Sequence, residues 1–258
     1  MLLLHGDCLE LMSTLPDRSV DLFICDLPYG CLGPQKKGGG IPREDTDGAF
    51  GGCAWDIPID LSQFWVQIKR LCKDDHTPVL MFCTTRFGVD LIQSNPDWFR
   101  YDLVWNKMRG ISFLLANKMP MPSHEMLYVF AKKGATYYRT DVEGDFPKSI
   151  AKNPRKNFYT GETMPNLLQD NTGKRCVLSI VDSSGYATRK KGQHPTQKPD
   201  DLYEWLITRY SKEGDTVLDP TAGSFASVFA AERLGRSGIG IEKDEGFYNK
   251  AHAHSLTL

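Results

Sequence analysis

Seven short apolar runs, rich in branched and aromatic residues, recur along this 258-residue chain at 2–4, 20–25, 79–82, 103–105, 126–130, 217–218 and 239–241. Continuous runs of this kind read as strands buried on both faces of a sheet. Helical patterns at 8–15, 61–71, 200–210 and 225–234 fall between several of them. Strand and helix in alternation predict an α/β fold with a mostly parallel sheet, because a parallel crossover needs a connection long enough to hold a helix. No long helical pattern separates the runs near Tyr101 and Met126, which predicts an antiparallel strand at one edge. A hydrophobic content of 41% suffices for one sizeable core, and a single domain over 1–258 is expected.

Two stretches interrupt this rhythm. Residues 30–52 combine glycine, proline and charge, which predicts a mobile loop. Residues 135–192 are polar and basic, with short apolar pieces such as VLSIV at 177–181. Both are expected beyond the strand ends, where α/β proteins bind ligands. Residues 132–198 hold 13 basic and six acidic residues, a local excess of seven, so with a formal net charge of -1 the remainder carries -8. A phosphate-facing surface needs such a concentration, and a solvated linker is the alternative. Seven cysteines without a C-x-x-C pair argue against a disulfide framework and against a zinc site, and point to a reducing cytosol. The start MLLLHGD lacks the basic lead and cleavage pattern of a secretory leader. No apolar stretch approaches the roughly 18 residues of a membrane span, so no membrane partner is expected.

Asp26-Leu27-Pro28-Tyr29 directly follows the second run. A carboxylate, a carbonyl stiffened by the next proline and an aromatic ring thus project from a strand's carboxyl end. That set suits the exocyclic amine of a nucleobase. The amine lone pair is delocalised into the ring, and it turns toward an electrophile only when acceptors hold the amine hydrogens. Asp26 and the Leu27 carbonyl are candidate acceptors, with Tyr29 stacking on the base; an ordinary strand-to-loop turn has the same composition.

Residues 217–224, VLDPTAGS, read as a strand and a small-residue turn that lead into the helical stretch FASVFAAERLG. Small residues let a backbone approach a cofactor closely. Glu242 ends the next run, and its distance from Asp219 approximates the roughly 20 residues between a nucleotide-binding turn and its ribose-binding acid. With neither a G-x-G-x-x-G pattern nor a Walker lysine, a sulfonium nucleoside without phosphates fits better than a pyrophosphate ligand. A tight turn with no ligand is the alternative. In His194-Pro195-Thr196-Gln197-Lys198-Pro199, Thr196 and Lys198 are candidates for holding a carboxylate at a helix start, against a plain proline-bounded loop. Asp7 and Cys8 follow the first run, where helix capping also accounts for Asp7.

Taken in order, GDCLELM, DLPYG, CAWD, YDLVWNK, SHEMLYVFAKKG, HPTQKP, VLDPTAGS and IGIEKDEGFYNKA resemble the beta class of DNA amino-methyltransferases over almost the whole chain. The resemblance is particularly close to a subgroup, common in phages and bacteria, that carries DLPYG. It implies a seven-stranded Rossmann-like methyltransferase sheet with an antiparallel edge strand, and a target-recognition insertion at 135–192. It further implies S-adenosyl-L-methionine as methyl donor, double-stranded DNA as substrate, base flipping, a restriction-modification role and a cytoplasmic setting. A homodimer rests on the resemblance alone.

On the same pattern Asp26, Leu27, Pro28 and Tyr29 form the catalytic motif. Asp7, Cys8, Asp26, Asp219, Pro220, Thr221, Ala222, Gly223, Ser224, Phe225 and Glu242 border the cofactor, with Thr196 and Lys198 at its methionine end. Trp55 is assigned to the flipped base, and Arg189, Lys190 and Lys191 to DNA phosphates. Within the family, aspartate at the first catalytic position goes mostly with adenine N6 and serine mostly with cytosine N4, so adenine is the expected target and cytosine the alternative. Leu27 replaces the usual first proline, yet the group required is a carbonyl that leucine also carries. Phe225 stands where the family turn usually has a second glycine. Its bulk is expected to alter cofactor affinity, and it keeps open a reading from a different class, a catalytically silent DNA-binding or cofactor-binding protein.

Overall fold

The computed structural model describes residues 1–29, 57–111, 113, 116–139, 141–143, 174–176, 178–183 and 197–257, with only the backbone described at 141–143 and 174–176. The loop expected at 30–52, Trp55, Arg189, Lys190, Lys191 and Thr196 lie outside the described residues.

Strand β1 (Leu2–His5) leads into helix α1 (Cys8–Thr14), whose first turn is capped by Asp7: its Oδ1 accepts from the Leu9 N–H at 2.9 Å. Strand β2 (Leu22–Cys25) is buried throughout. Helix α2 (Leu61–Leu71), capped by Asp60, buries Phe64, Trp65, Ile68 and Leu71, the one-faced spacing of an amphipathic helix. Strand β3 (Val79–Cys83), helix α3 (Thr85–Ser94) and the hairpin of β4 (Phe99–Asn106) and β5 (His124–Phe130) follow. Strands β6 (Asp141–Glu143) and β7 (Lys174–Cys176) pair antiparallel in a small separate sheet. The chain closes with β8 (Ile180–Asp182), α4 (Asp200–Tyr210), β9 (Thr216–Asp219), α5 (Ala226–Arg233), β10 (Ser237–Glu242) and α6 (Glu245–Ser255).

The main sheet has eight strands in the order β1-β10-β9-β2-β3-β5-β4-β8, and every pairing is parallel except the two made by β5. Two details revise the sequence expectation. The antiparallel strand is not at the edge but third from it, because the β4–β5 hairpin folds back so that β5, and not β4, lies next to β3. The eighth strand is β8, drawn from the VLSIV piece of the basic segment, and it adds itself in parallel along β4.

Alternate residues of the central strands feed two cores. Phe23 and Cys25 of β2 with Val79, Met81 and Cys83 of β3 pack under α1, α2 and α3. Leu22 and Ile24 with Leu80 and Phe82 pack under α4 and α5. This period of two explains why the runs are apolar throughout: both faces are covered. Among the described residues no helix is long and apolar enough to cross a membrane.

The strand order also fixes where a ligand site can form. From β2 the chain proceeds to β3 on one side, and from β9 to β10 on the other, while β2 and β9 are themselves paired. Connections leaving adjacent strands in opposite directions open a crevice at their carboxyl ends, the topological switch point of an α/β sheet. Asp26 stands just past the end of β2, and Asp219 ends β9.

Candidate active site

Asp26 is half-buried, and both of its oxygens are engaged. Its Oδ1 accepts from the Tyr29 hydroxyl at 2.7 Å, and its Oδ2 accepts from the Lys198 ammonium at 2.7 Å. The Tyr29 ring packs on Phe87, with ring centres 5.1 Å apart and planes inclined by 34°. Burial, reinforced by the negative charges of Asp26 and Glu125, pushes the Tyr29 phenol well above its ordinary value, so it stays a donor to Asp26. The Leu27 side chain is anchored in the core at 3% exposure, which fixes the backbone between Asp26 and Tyr29.

Lys198 comes from the segment before α4 and is 4% exposed. Its ammonium lies 3.4 Å from Glu125 Oε2 and over the rings of Phe82 and Trp105, at 4.8 and 5.9 Å from their centres. Glu125 is in turn paired with Lys107. Burial opposes charge on Lys198, but Asp26 and Glu125 outweigh it and hold the ammonium above its ordinary range. Burial likewise works against the Glu125 carboxylate, and Lys198 and Lys107 outweigh it and hold that carboxyl low. The structure thus joins Lys198, assigned by the resemblance to the methionine end of the cofactor, to Asp26, which is assigned to the same border.

Sequence reasoning had not singled out Glu125 or Lys107. The available signal was an acid and a base at the ends of the apolar runs MLYVF and LVW. Only the register of β4 on β5, which sets Trp105 opposite Glu125 and Asn106 opposite His124, brings the two together.

Across the switch point the turn after β9 is wired to the end of β10. The Ala222 N–H donates to the Ile241 carbonyl at 2.8 Å, and the Gly223 N–H donates to Glu242 Oε2 at 2.7 Å. Gly223 has φ 53, a left-handed conformation in which a side chain is strained. Asp219 is 3% exposed; its Oδ1 accepts from the Thr221 N–H at 3.1 Å and its Oδ2 from the Ser227 hydroxyl. Burial raises the Asp219 carboxyl to about 7 despite those donors, and the nearby charges of Asp26 and Glu242 add to the rise. Burial also raises Glu242. The Thr221 hydroxyl is buried and has no hydrogen-bond partner among the described residues.

At the adjoining strand β1, Asp7 caps α1 as expected, and its Oδ2 accepts from Lys243 at 3.2 Å. The neighbouring Cys8 thiol is pushed by burial up to about 11 and is therefore inert. Three carboxylates, Asp26, Asp219 and Glu242, thus interact across the switch point, and Asp7 follows strand β1, whose last residue His5 pairs with Glu242. A crevice of this charge suits a cation with hydroxyl groups better than a phosphate.

Phe225 is turned inward. It adopts φ 60, ψ 21 at the start of α5, the strained geometry that a glycine would take. Its ring is 0% exposed and packs with Val228, Phe229, Ala251 and Tyr248 in the core beneath β10. Gly240 makes the room, since a Cβ there would come within 2.6 Å of the Phe225 ring. The ring enters the core and does not fill the crevice.

A family model described as DNA methylase matches residues 20–253. The chain is 29% identical over 264 residues to the type II methyltransferase M.HinfI of Haemophilus influenzae, a match covering 96% of this chain and 66% of that protein. It is 23% identical to the type II methyltransferase M2.DpnII of Streptococcus pneumoniae, over 96% of this chain and 86% of the relative. The chain therefore spans just under two thirds of the first of these relatives. Its fold is similar to that of the M1.HpyAVI–SAM complex, with a TM-score of 0.58 at 20% identity over 100% of this chain and 99% of the other. It is also similar to the cytosine-N4-specific PvuII DNA methyltransferase, with a TM-score of 0.59 at 15% identity over 97% and 84% of the two chains.

Proposed function

The chain belongs to the DNA methylase family, and from that premise we propose that it transfers a methyl group from S-adenosylmethionine to the exocyclic N6 of adenine in double-stranded DNA. The observation that carries this reading is the pairing of β2 with β9, which sets Asp26 and the Asp219 turn on either side of one crevice. Acceptors for an amine and a cradle for a nucleoside cation are thereby adjacent. The donor set fits the cofactor: carboxylates for a cationic centre and a ribose, a Thr221 hydroxyl unpartnered among the described residues, and a turn of small residues for close approach. When bound, S-adenosylmethionine supplies an electrophilic methyl group.

The protein's own share is positioning. Asp26 and the Leu27 carbonyl accept the two amine hydrogens and turn the lone pair toward the methyl group. Tyr29 and Trp55 hold the extruded ring. Pro220, Ala222, Gly223 and Ser224 form the cradle floor, with Asp7, Cys8 and Glu242 at its nucleoside end. Thr196 is assigned to the methionine end. Arg189, Lys190 and Lys191 are assigned to DNA phosphates, which position a duplex without reading it. Adenine follows from the aspartate at position 26; the cytosine-N4 name of one structural neighbour favours the second reading, N4 transfer by the same acceptors. A paired amine cannot reach the donor inside the stack, so the base must leave it. A duplex with 2-aminopurine at the target position should brighten on binding, and labelled cofactor should leave acid-stable label in DNA. Binding without brightening counts against extrusion, and DNA without label counts against the enzyme.

Asp219 gives the site a pH dependence. In the unfolded chain its carboxyl titrates near 3.8 and in the folded protein near 7, so the folded state retains a proton that the unfolded state releases between those values. Its contribution to stability is therefore lost as pH rises from about 4 to about 7. A cationic ligand beside it reverses the preference and expels the proton. Cofactor affinity should rise by up to about tenfold per pH unit below 7 and level off above it. Calorimetry in two buffers of different ionisation enthalpy measures the released proton directly. An affinity flat between pH 6 and pH 8 contradicts this.

A further inference from the structure

Asp26 meets a difficulty if it is to receive an amine. Its Oδ1 already accepts from Tyr29, and its Oδ2 from a full positive charge at 2.7 Å, which leaves one lone pair on each. An ammonium there competes with the amine for the oxygen and repels the charge that builds on the amine as it accepts a methyl group. The same ammonium has a second berth beside it. Glu125 Oε2 lies 3.4 Å away, buried and already ion-paired with the ammonium but accepting no close hydrogen bond among the described residues, while Oε1 of the same carboxylate is held by Lys107. Phe82 and Trp105 flank the ammonium where it stands, with ring faces that favour a cation, and the Trp105 ring also carries the ammonium of Lys107, the partner of Glu125.

We infer that Lys198 is a two-position residue, which caps Asp26 while the base pocket is empty and moves onto Glu125 Oε2 when an exocyclic amine arrives. Glu125 is then a positioning residue that clears Asp26, and Lys107 fixes Glu125 for that purpose. The inference rests on the methyl-transfer reading above. It accounts for a buried ammonium held in a close hydrogen bond by one carboxylate and in a longer ion pair by a second one beside it.

The test is single-turnover methylation of duplex DNA by the full chain. Glu125→Gln removes the charge that draws Lys198 away, and should slow transfer by at least about tenfold while DNA and cofactor affinities stay within about threefold. Lys198→Met, a volume-conserving change, added to Glu125→Gln removes the cap itself and should recover at least about fivefold of the lost rate. A structural defect at Glu125 is not repaired by a second core substitution. Should Glu125→Gln fail to fold because Lys107 is left unpaired, Lys107→Met/Glu125→Gln carries the same comparison with and without Lys198→Met. Transfer by Glu125→Gln within about twofold of wild type overturns the inference, as does a combined variant no faster than Glu125→Gln. A wild type that binds cofactor and DNA but transfers no methyl group overturns the function reading, and this inference with it.

Discussion

Replacing Asp26 with alanine is expected to lower methyl transfer by about a hundredfold to a thousandfold, the loss seen when one preorganised hydrogen-bonding group is removed from a reacting centre. The cause is local. Without the carboxylate the amine keeps only the Leu27 carbonyl, and its lone pair stays in conjugation with the ring. Cofactor affinity should change little, because the Asp219 turn is held by Glu242 and Ile241, not by Asp26. Some loss of stability should accompany the change, since Lys198 is left with Glu125 as its remaining partner. Asp26→Asn keeps an acceptor oxygen and should retain traces of activity. Single-turnover rates with cofactor titration separate the two effects, and an alanine variant as fast as wild type removes Asp26 from the reaction.

Phe225→Gly should destabilise the protein by about 1–4 kcal/mol, even though glycine suits the backbone there better. The left-handed conformation at φ 60 costs a non-glycine residue about 1–2 kcal/mol, which the change regains. Against that, deleting a fully buried phenyl ring costs about 3–5 kcal/mol, and the space held open by Gly240 becomes a cavity. For a chain of this size the net loss corresponds to a Tm lower by about 2 °C or more. Cofactor affinity should not improve, because the ring lies in the core beneath β10. Thermal unfolding with a parallel cofactor titration decides it: tighter binding at an unchanged Tm shows that the ring obstructs the crevice after all.

The Phe225 case illustrates what a sequence conceals. From the chain alone its bulk in a small-residue turn reads as an obstruction, because the compensating Gly240 sits on another strand and only the packing relates the two. Glu125 and Lys107 were hidden for the same reason, since strand register is not written in either strand by itself. Helix α6 was missed because it buries only Ala251 and carries no clear apolar stripe, whereas α3 does set Phe87 and Leu91 on one buried face and was passed over as a segment of only ten residues. By contrast α2 buries a full face, and its bounds at Leu61–Leu71 match those expected. The parallel sheet was legible because burial on both faces leaves continuous apolar runs. Asp26 and Asp219 were legible because each directly follows or ends such a run, where the chain must turn at the carboxyl edge of the sheet.

Digestion of DNA exposed to the active protein, followed by mass analysis of its nucleosides, tests the central claim most directly. We predict N6-methyladenine in DNA from the wild type and at least about a hundredfold less with Asp26→Ala after the same brief exposure. N4-methylcytosine instead would keep the acceptor geometry and overturn the choice of base, and unmodified DNA from a protein that binds cofactor would contradict the account of the site.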